Sequence, residues 1–235
     1  MMNPQLFDHL FVVIVLVIVF PFGGLWAYRR FLARVAAGDE SALVTEYRLT
    51  LVWLAGLLVA TRVASFAAER DMAALGFAPL RITDDNGWVL GIAGGAAAGL
   101  LIRPILALAN RRVATALARQ FEKLAPFLPK TNRQLAWGLL VSIAAGIAEE
   151  VAYRGYLQPY FATWLPEWGA IAAASVLFGF AHLYQGWSGV LLTTFLGVGL
   201  GAIYAATGSL LLPILLHAAI DISSMVTARL VLARS

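Results

Sequence analysis

Long apolar segments, separated by short polar stretches, run through almost the whole chain and limit the folds open to it. A helix needs about 20 mostly apolar residues to cross a bilayer, and such segments cover residues 6–28, 49–68, 87–109, 135–158, 168–184, 189–206 and 210–232. A soluble domain carries about 45–50% apolar and about 25% charged residues, whereas this chain of 235 residues has 61% and 13%. We therefore predict an all-α, polytopic transmembrane helical bundle of about seven spans.

Composition also removes several classes of function. There is no cysteine, which excludes disulfides, thiolate metal sites and thiol nucleophiles, and there are only three histidines. The net charge of +4 comes from basic residues that lie mostly between apolar segments, where such residues set membrane topology. We expect a lipid bilayer as the surroundings, a multi-pass membrane protein and no nucleic-acid partner.

The chain reads as one membrane domain with two parts. Residues 1–134 hold the first three spans and a basic loop, 110–134, in which Val113, Leu117 and Phe121 recur at the spacing of an interfacial amphipathic helix. Residues 135–235 hold the remaining spans. Small residues at 91–99 and 197–202 predict close helix packing.

Three ionisable residues lie together in the fourth span. A carboxylate or guanidinium at the centre of a bilayer costs about 2.5–3.5 kcal/mol, so Glu149, Glu150 and Arg154 are expected to face the protein interior. Glu150 and Arg154 are four residues apart and can pair on one helix face. Glu149 points about 100° away and has no local cation. A structural ion pair explains one glutamate, whereas the second glutamate suits a general base.

Two histidines with helical partners follow in later spans. Phe178 and His182 are four residues apart, and so are His217 and Asp221. Taken alone, His182 is typical of a packed histidine, and Asp221 is typical of a local hydrogen bond or of a residue that orients a histidine or shares a metal or water with it. Together with the charged group of the fourth span, however, these residues form three compact clusters, which points to a site.

The three clusters resemble the motifs of the CAAX protease and bacteriocin-processing family, which includes the type II CAAX prenyl endopeptidases. The family pattern is EExxxR, then FxxxH, then HxxxN or HxxxD, and the matching residues appear here in that order, over about residues 135–225. The resemblance implies an intramembrane endopeptidase that acts on a membrane-associated or prenylated protein or peptide, with residues 135–235 as its catalytic core. The bacterial relatives in the family also imply a bacterial inner (cell) membrane as its location.

The same resemblance implies a role for each residue. Glu149 is the general base, supported by Glu150 and Arg154; His182 assists the water or the oxyanion; His217 and Asp221 complete the oxyanion side. Asp221 stands where the eukaryotic prenyl proteases have Asn. An amide can donate a hydrogen bond to an oxyanion and an ionised carboxylate cannot, which weakens the expectation of a prenylated substrate.

Several alternatives stay open on the sequence. We expect no required cofactor, but Glu149, His182 and His217 are also a set that suits Zn²⁺, which would make the protein a metallopeptidase. A non-catalytic membrane scaffold or bacteriocin self-immunity protein could use the same fold. A proton-coupled transporter is a third class, because intramembrane glutamates and histidines also form proton relays.

Overall fold

The computed structural model describes residues 4–232, apart from the side chain of Lys123, and in this part of the chain the regular structure is helical. This confirms the all-α polytopic bundle. We number the helices α1 Leu6–Ala36, α2 Ala42–Ala67, α3 Trp88–Ala109, α4 Arg111–Phe121, α5 Asn132–Phe161, α6 Glu167–Ala181, α7 Trp187–Thr207 and α8 Leu211–Leu232. Short 3-10 turns at Asp84–Asn86, Glu122–Phe127 and Leu183–Gln185 join some of them.

Six of the helices in the described residues are long and apolar enough to cross a membrane. They coincide with six of the seven predicted spans. The remaining segment, predicted at 168–184, is the shorter helix α6 of 15 residues. At about 1.5 Å per residue it is about 22 Å long, less than the about 30 Å of a hydrocarbon core. It is short because it begins after Pro166 and ends at His182, before a turn at Gly186 with φ +76°.

The amphipathic helix predicted in the basic loop is α4. The side chain of Asn110 caps its first turn by accepting hydrogen bonds from the backbone N–H groups of Arg112 at 2.9 Å and Val113 at 3.4 Å. Phe121 is buried and Val113 and Leu117 are half-buried, while the basic residues on the other face are exposed. The helix therefore lies with its apolar side against the bundle.

Helix α5 is the most buried of the long helices and carries the first cluster of site residues. Its segment Val151–Leu157 is π-helical, and all seven of those residues are buried. One apolar cluster of the bundle includes Val151 and the residues after it, and a second includes Ala148 and the residues before it. Glu149 and Glu150 therefore lie where the two apolar clusters meet.

Small residues allow close helix contacts around α5, but not everywhere they were predicted. A Cβ atom at Gly197 of α7 would lie 3.0 Å from Cβ of Ser175 and 3.2 Å from Nη2 of Arg154. The close packing predicted for 197–202 is thus present. The prediction for 91–99 is wrong within the described residues, because a Cβ atom at Gly91, Gly95 or Gly99 would meet no atom within 4 Å. Within residues 4–232, no other helix packs against the face of α3 that carries these glycines.

A buried polar cluster fixes the start of α1. The carboxylate of Asp8 is fully buried, pairs with Nη1 of Arg70 at 2.8 Å and accepts a hydrogen bond from the hydroxyl of Tyr156. Nδ1 of His9 is 2.7 Å from the hydroxyl of Tyr160. The first helix is therefore joined to the second half of α5 by polar contacts that sequence reasoning did not find, since the partners are more than 60 residues apart.

The contact between α6 and α7 gives a test of the packing. We expect Gly179→Ala to destabilise the protein by about 1–3 kcal/mol, a typical cost of overpacking, because its Cβ would lie 2.7 Å from the carbonyl oxygen of Val190. Gly199→Ala is the matched control, since its Cβ would meet nothing within 4 Å. Thermal melting of the purified variants in detergent measures the difference. Equal melting temperatures for the two variants would contradict the packing described here.

Candidate active site

The innermost contact of the site is a single carboxylate oxygen with two donors. Oε1 of Glu150 accepts a hydrogen bond from Nη1 of Arg154 at 2.7 Å, and Nδ1 of His217 lies 2.7 Å from the same oxygen. The side chains of Glu150 and Arg154 are 0% and 2% exposed. The predicted pair between positions 150 and 154 is therefore present, and His217 from α8 joins it.

Arg154 also holds two further helices. Its Nη2 donates to the carbonyl oxygen of Gly197 in α7 at 3.2 Å, and its guanidinium lies 4.3 Å from the centre of the Phe178 ring of α6. The Phe178 ring in turn makes edge contacts with the rings of His182 and His217, at centroid distances of 4.9 Å and 5.7 Å. Phe178 thus contacts the cation and both histidines, which explains why an aromatic residue is useful at this position.

Glu149 is held differently from its neighbour. Its Oε2 has no hydrogen-bond partner in the described part of the chain, and its side chain is 12% exposed. Nε2 of His182 and Nε2 of His217 each lie 3.9 Å from this oxygen. That distance is too long for a direct hydrogen bond and suits groups that share a bridging water.

The hydrogen bonds of the histidines define which ring nitrogen faces Glu149. Nδ1 of His182 lies 2.9 Å from the carbonyl oxygen of Phe178. A carbonyl oxygen only accepts, so Nδ1 carries the proton and a neutral His182 presents an unprotonated Nε2 to Glu149. By the same reasoning Nδ1 of His217 donates to the carboxylate of Glu150, and its Nε2 also faces Glu149.

Asp221 makes a looser contact than its spacing suggested. Its Oδ2 lies 3.7 Å from Nε2 of His217, beyond hydrogen-bond distance, and its side chain is 39% exposed. The residue that orients His217 through a hydrogen bond is Glu150. Sequence spacing favoured Asp221 because it is four residues away on the same helix, whereas Glu150 is 67 residues away.

Two cavities meet at Glu149 and His182. The larger has a volume of about 670 Å³ and also includes Arg103, His217 and Asp221 in its wall. The smaller has a volume of about 110 Å³ and lies against α1 and α2, with Glu46 in its wall. The wall residues outside the three motifs come partly from the motif helices, such as Ser142 of α5 and Ser224 of α8, and partly from other helices, such as Thr50 of α2. Sequence reasoning did not find them, because no local pattern shows which residues of different helices face one cavity.

Tyr184 lies in the wall of both cavities. It follows His182 in the turn between α6 and α7, and Nε2 of Gln185 donates to its hydroxyl at 3.1 Å. Burial raises the pKa of Tyr184, so its hydroxyl stays protonated at neutral pH. It is therefore a neutral donor near the point where the cavities meet.

The side chains as placed do not have the geometry of a zinc site. Zinc bonds of about 2.0–2.2 Å at tetrahedral angles put ligand atoms about 3.3–3.6 Å apart, whereas Oε2 of Glu149 is 3.9 Å from both histidine nitrogens. Across the described residues, no group of three or more His, Cys, Asp or Glu side chains is arranged to hold a metal ion. The zinc-dependent alternative stays a prediction.

The buried pair gives a prediction for stability. We expect Arg154→Ala to destabilise the protein by about 3–5 kcal/mol, because Glu150 is left as a buried charge without its cation. The double variant Glu150→Gln, Arg154→Ala should recover much of that loss, since the buried charge is removed. Melting temperatures in detergent report both effects. If Arg154→Ala alone melts like the wild type, the pair does not stabilise the fold.

Comparison with known proteins agrees with the motifs. Residues 131–223 match the family described as Type II CAAX prenyl endopeptidase Rce1-like, a segment that is less than half of the chain and contains all six predicted site residues. Among curated proteins and solved structures, none matches the chain. The family is one of proteases, and the long apolar helices give the chain a multi-pass membrane setting. Over residues 131–223, the chain is therefore similar to the Rce1-like type II CAAX prenyl endopeptidases.

Proposed function

We propose that this protein is an intramembrane endopeptidase that hydrolyses a peptide bond of a membrane-associated or prenylated protein or peptide, with water activated by Glu149. One observation carries the proposal. Oε2 of Glu149 has no hydrogen-bond partner among the described residues and lies 3.9 Å from Nε2 of both His182 and His217, at the junction of two cavities.

The spacing supports a shared water molecule. A water about 2.8 Å from Oε2 of Glu149 and from Nε2 of His182 bridges a gap of 3.9 Å at an angle of roughly 90°. Both atoms are acceptors when Glu149 is ionised and His182 is neutral. The two hydrogens of the water are then committed to them, and a lone pair of its oxygen is free to attack a carbonyl carbon.

The proton follows a closed path. Glu149 takes a proton from the water as the hydroxide oxygen bonds to the scissile carbonyl carbon. The tetrahedral intermediate then breaks its C–N bond, and the proton on Glu149 passes to the leaving nitrogen. The products are a carboxyl group and an amine, and Glu149 returns to its ionised form.

In the proposed mechanism, His217 stabilises the negative charge that develops on the scissile carbonyl oxygen. Its Nδ1 is held by Glu150 at 2.7 Å, so the ring cannot rotate away. A proton on Nε2, which the nearby carboxylates of Glu149 and Asp221 favour electrostatically, makes this nitrogen a donor to the developing oxyanion. In this scheme Asp221 acts through its charge, which removes the difficulty that a carboxylate cannot donate a hydrogen bond.

The larger cavity is the proposed peptide site. Its volume of about 670 Å³ lies within the range of about 300–1,000 Å³ that holds ligands. Apolar side chains form much of its wall, and Arg103 adds a positive charge. A mostly apolar wall suits a peptide that is delivered from a membrane. We further propose that the membrane is the inner (cell) membrane of a bacterium.

The test of the function uses purified protein in detergent and a panel of membrane-associated peptides with and without a prenylated cysteine. We expect wild-type turnover, and we expect Glu149→Gln to lower kcat about 10²–10⁴-fold, the usual contribution of a general base, at an unchanged melting temperature. Glu167→Gln, an exposed glutamate at the start of α6, is the matched control. Near-normal turnover of Glu149→Gln would falsify the assignment. A wild type that binds peptides without cleaving them would support a non-catalytic scaffold or immunity protein.

Metal dependence is tested separately. We expect protein stripped by a strong chelator, with removal verified by elemental analysis, to keep its turnover, because Glu149 and two histidines suffice to bind and polarise a water. Mutation of the histidines cannot separate the two mechanisms, since both need them. Loss of turnover that stoichiometric Zn²⁺ restores would establish the metallopeptidase instead.

A further inference from the structure

The wall of the smaller cavity contains a buried glutamate that belongs to none of the three motifs. Glu46 is in the second turn of α2, which begins at Ala42, and is 8% exposed. Its carboxylate makes no hydrogen bond to the described residues, and the charges that act on it are those of Arg34 and Arg30. A carboxylate this buried and unpaired is costly, and such residues within membrane segments are functional candidates by default.

The smaller cavity leads from Glu46 to the catalytic glutamate. Glu46, Tyr28 and Thr50 lie in its wall together with Glu149 and His182. Its volume of about 110 Å³ has room for a few water molecules, since each occupies about 30 Å³ in the liquid. Close to Glu46, the connection between α1 and α2 contains Asp39 and Ser41, whose side chains meet solvent.

Each hydrolysis consumes one water molecule, which has to be replaced at Glu149 before the next turnover. A peptide in the larger cavity covers Glu149 from that side, and the surrounding helix faces are apolar. The smaller cavity reaches the same carboxylate from α1 and α2 and has polar groups along its wall. Tyr28 and Glu46 belong to its wall and not to that of the larger cavity, so this part of it stays open when a peptide fills the larger cavity.

We propose that the smaller cavity is a water inlet and that Glu46 is a positioning residue that accepts hydrogen bonds from the water it delivers to Glu149. This inference rests on the proposed peptidase function. Glu46 does not touch the reacting atoms and forms no covalent bond. Its carboxylate holds the first water of a short chain whose last member lies between Glu149 and His182.

Kinetics test the inlet by blocking it. Gly24 lies in the wall of the smaller cavity, and a Cβ atom there meets only the carbonyl oxygen of Ala181 at 3.9 Å, so Gly24→Leu fills the cavity beside the site. We expect Gly24→Leu and Glu46→Leu to lower kcat at least about tenfold while KM for the peptide stays within about twofold, because the peptide cavity is untouched. Glu46→Gln should restore most of the kcat lost in Glu46→Leu, since an amide still binds water.

The control introduces a leucine at a glycine that lies outside the inlet. Gly56 of α2 lies in the wall of an apolar groove that includes Val52 and Leu57, and a Cβ atom there meets nothing within 4 Å. Gly56→Leu should therefore keep wild-type kcat. Undiminished kcat in Gly24→Leu, or a parallel rise of KM in Glu46→Leu, would overturn the inlet.

A second measurement does not depend on hydrolysis. The chain has no cysteine, so a single introduced thiol can be labelled with a small, membrane-impermeant reagent. We expect Glu46→Cys to react, as does the exposed position in Ser41→Cys, while Thr61→Cys on the same helix, which is fully buried, stays unreactive. An unreactive Glu46→Cys would overturn the inlet and leave the role of Glu149 intact. Full activity of Glu149→Gln would instead refute the peptidase mechanism, whatever the labelling shows.

Discussion

The shared hydrogen bonding at Oε1 of Glu150 is the constraint on which the rest of the site depends. A fully buried carboxylate is stable only if it is paired and hydrogen-bonded, and here Arg154 and His217 meet the need at 2.7 Å each. Arg154 then contacts α6 through Phe178 and α7 through Gly197, while His217 brings in α8. The contact that offsets the burial of one charge therefore also sets the relative positions of four helices and fixes the ring nitrogen that His217 turns toward Glu149.

The two adjacent glutamates have different roles, one in stability and one in the proposed chemistry. They can do so because a helix turns about 100° per residue, which points their side chains in different directions. Glu150 points at its two donors, while Glu149 points at the junction of the cavities and keeps one oxygen unsatisfied. An unsatisfied buried acceptor is expensive in an apolar interior. The structure can hold one such group because the neighbouring carboxylate is so well paired. A single glutamate could not be both fully compensated and free to take a proton from water.

What could be predicted from the sequence was what a single helix determines. Hydropathy predicted the helices, and the four-residue spacing predicted the pair of Glu150 with Arg154, because both depend on contacts within one segment. The partner of His217 could not be found this way, since Asp221 was nearer in sequence and Glu150 nearer in space. Helix register between segments is set by packing, as at Gly197, and not by a local pattern. The prediction of close packing at residues 91–99 was wrong for the same reason. Small residues allow another helix to approach closely, but they do not determine whether one is there.

A hydrolytic site surrounded by apolar helices needs polar groups that do not face lipid. Along Val151–Leu157 every residue of α5 is buried, so the polar side chains there are enclosed by other helices on all sides. Low polarity around the site strengthens each electrostatic contact within it, which helps two histidines and a carboxylate to polarise one water. The same low polarity slows the arrival of that water. A site of this kind therefore needs a way in for water as well as room for a peptide, and in the proposed mechanism the two cavities that meet at Glu149 meet these two needs.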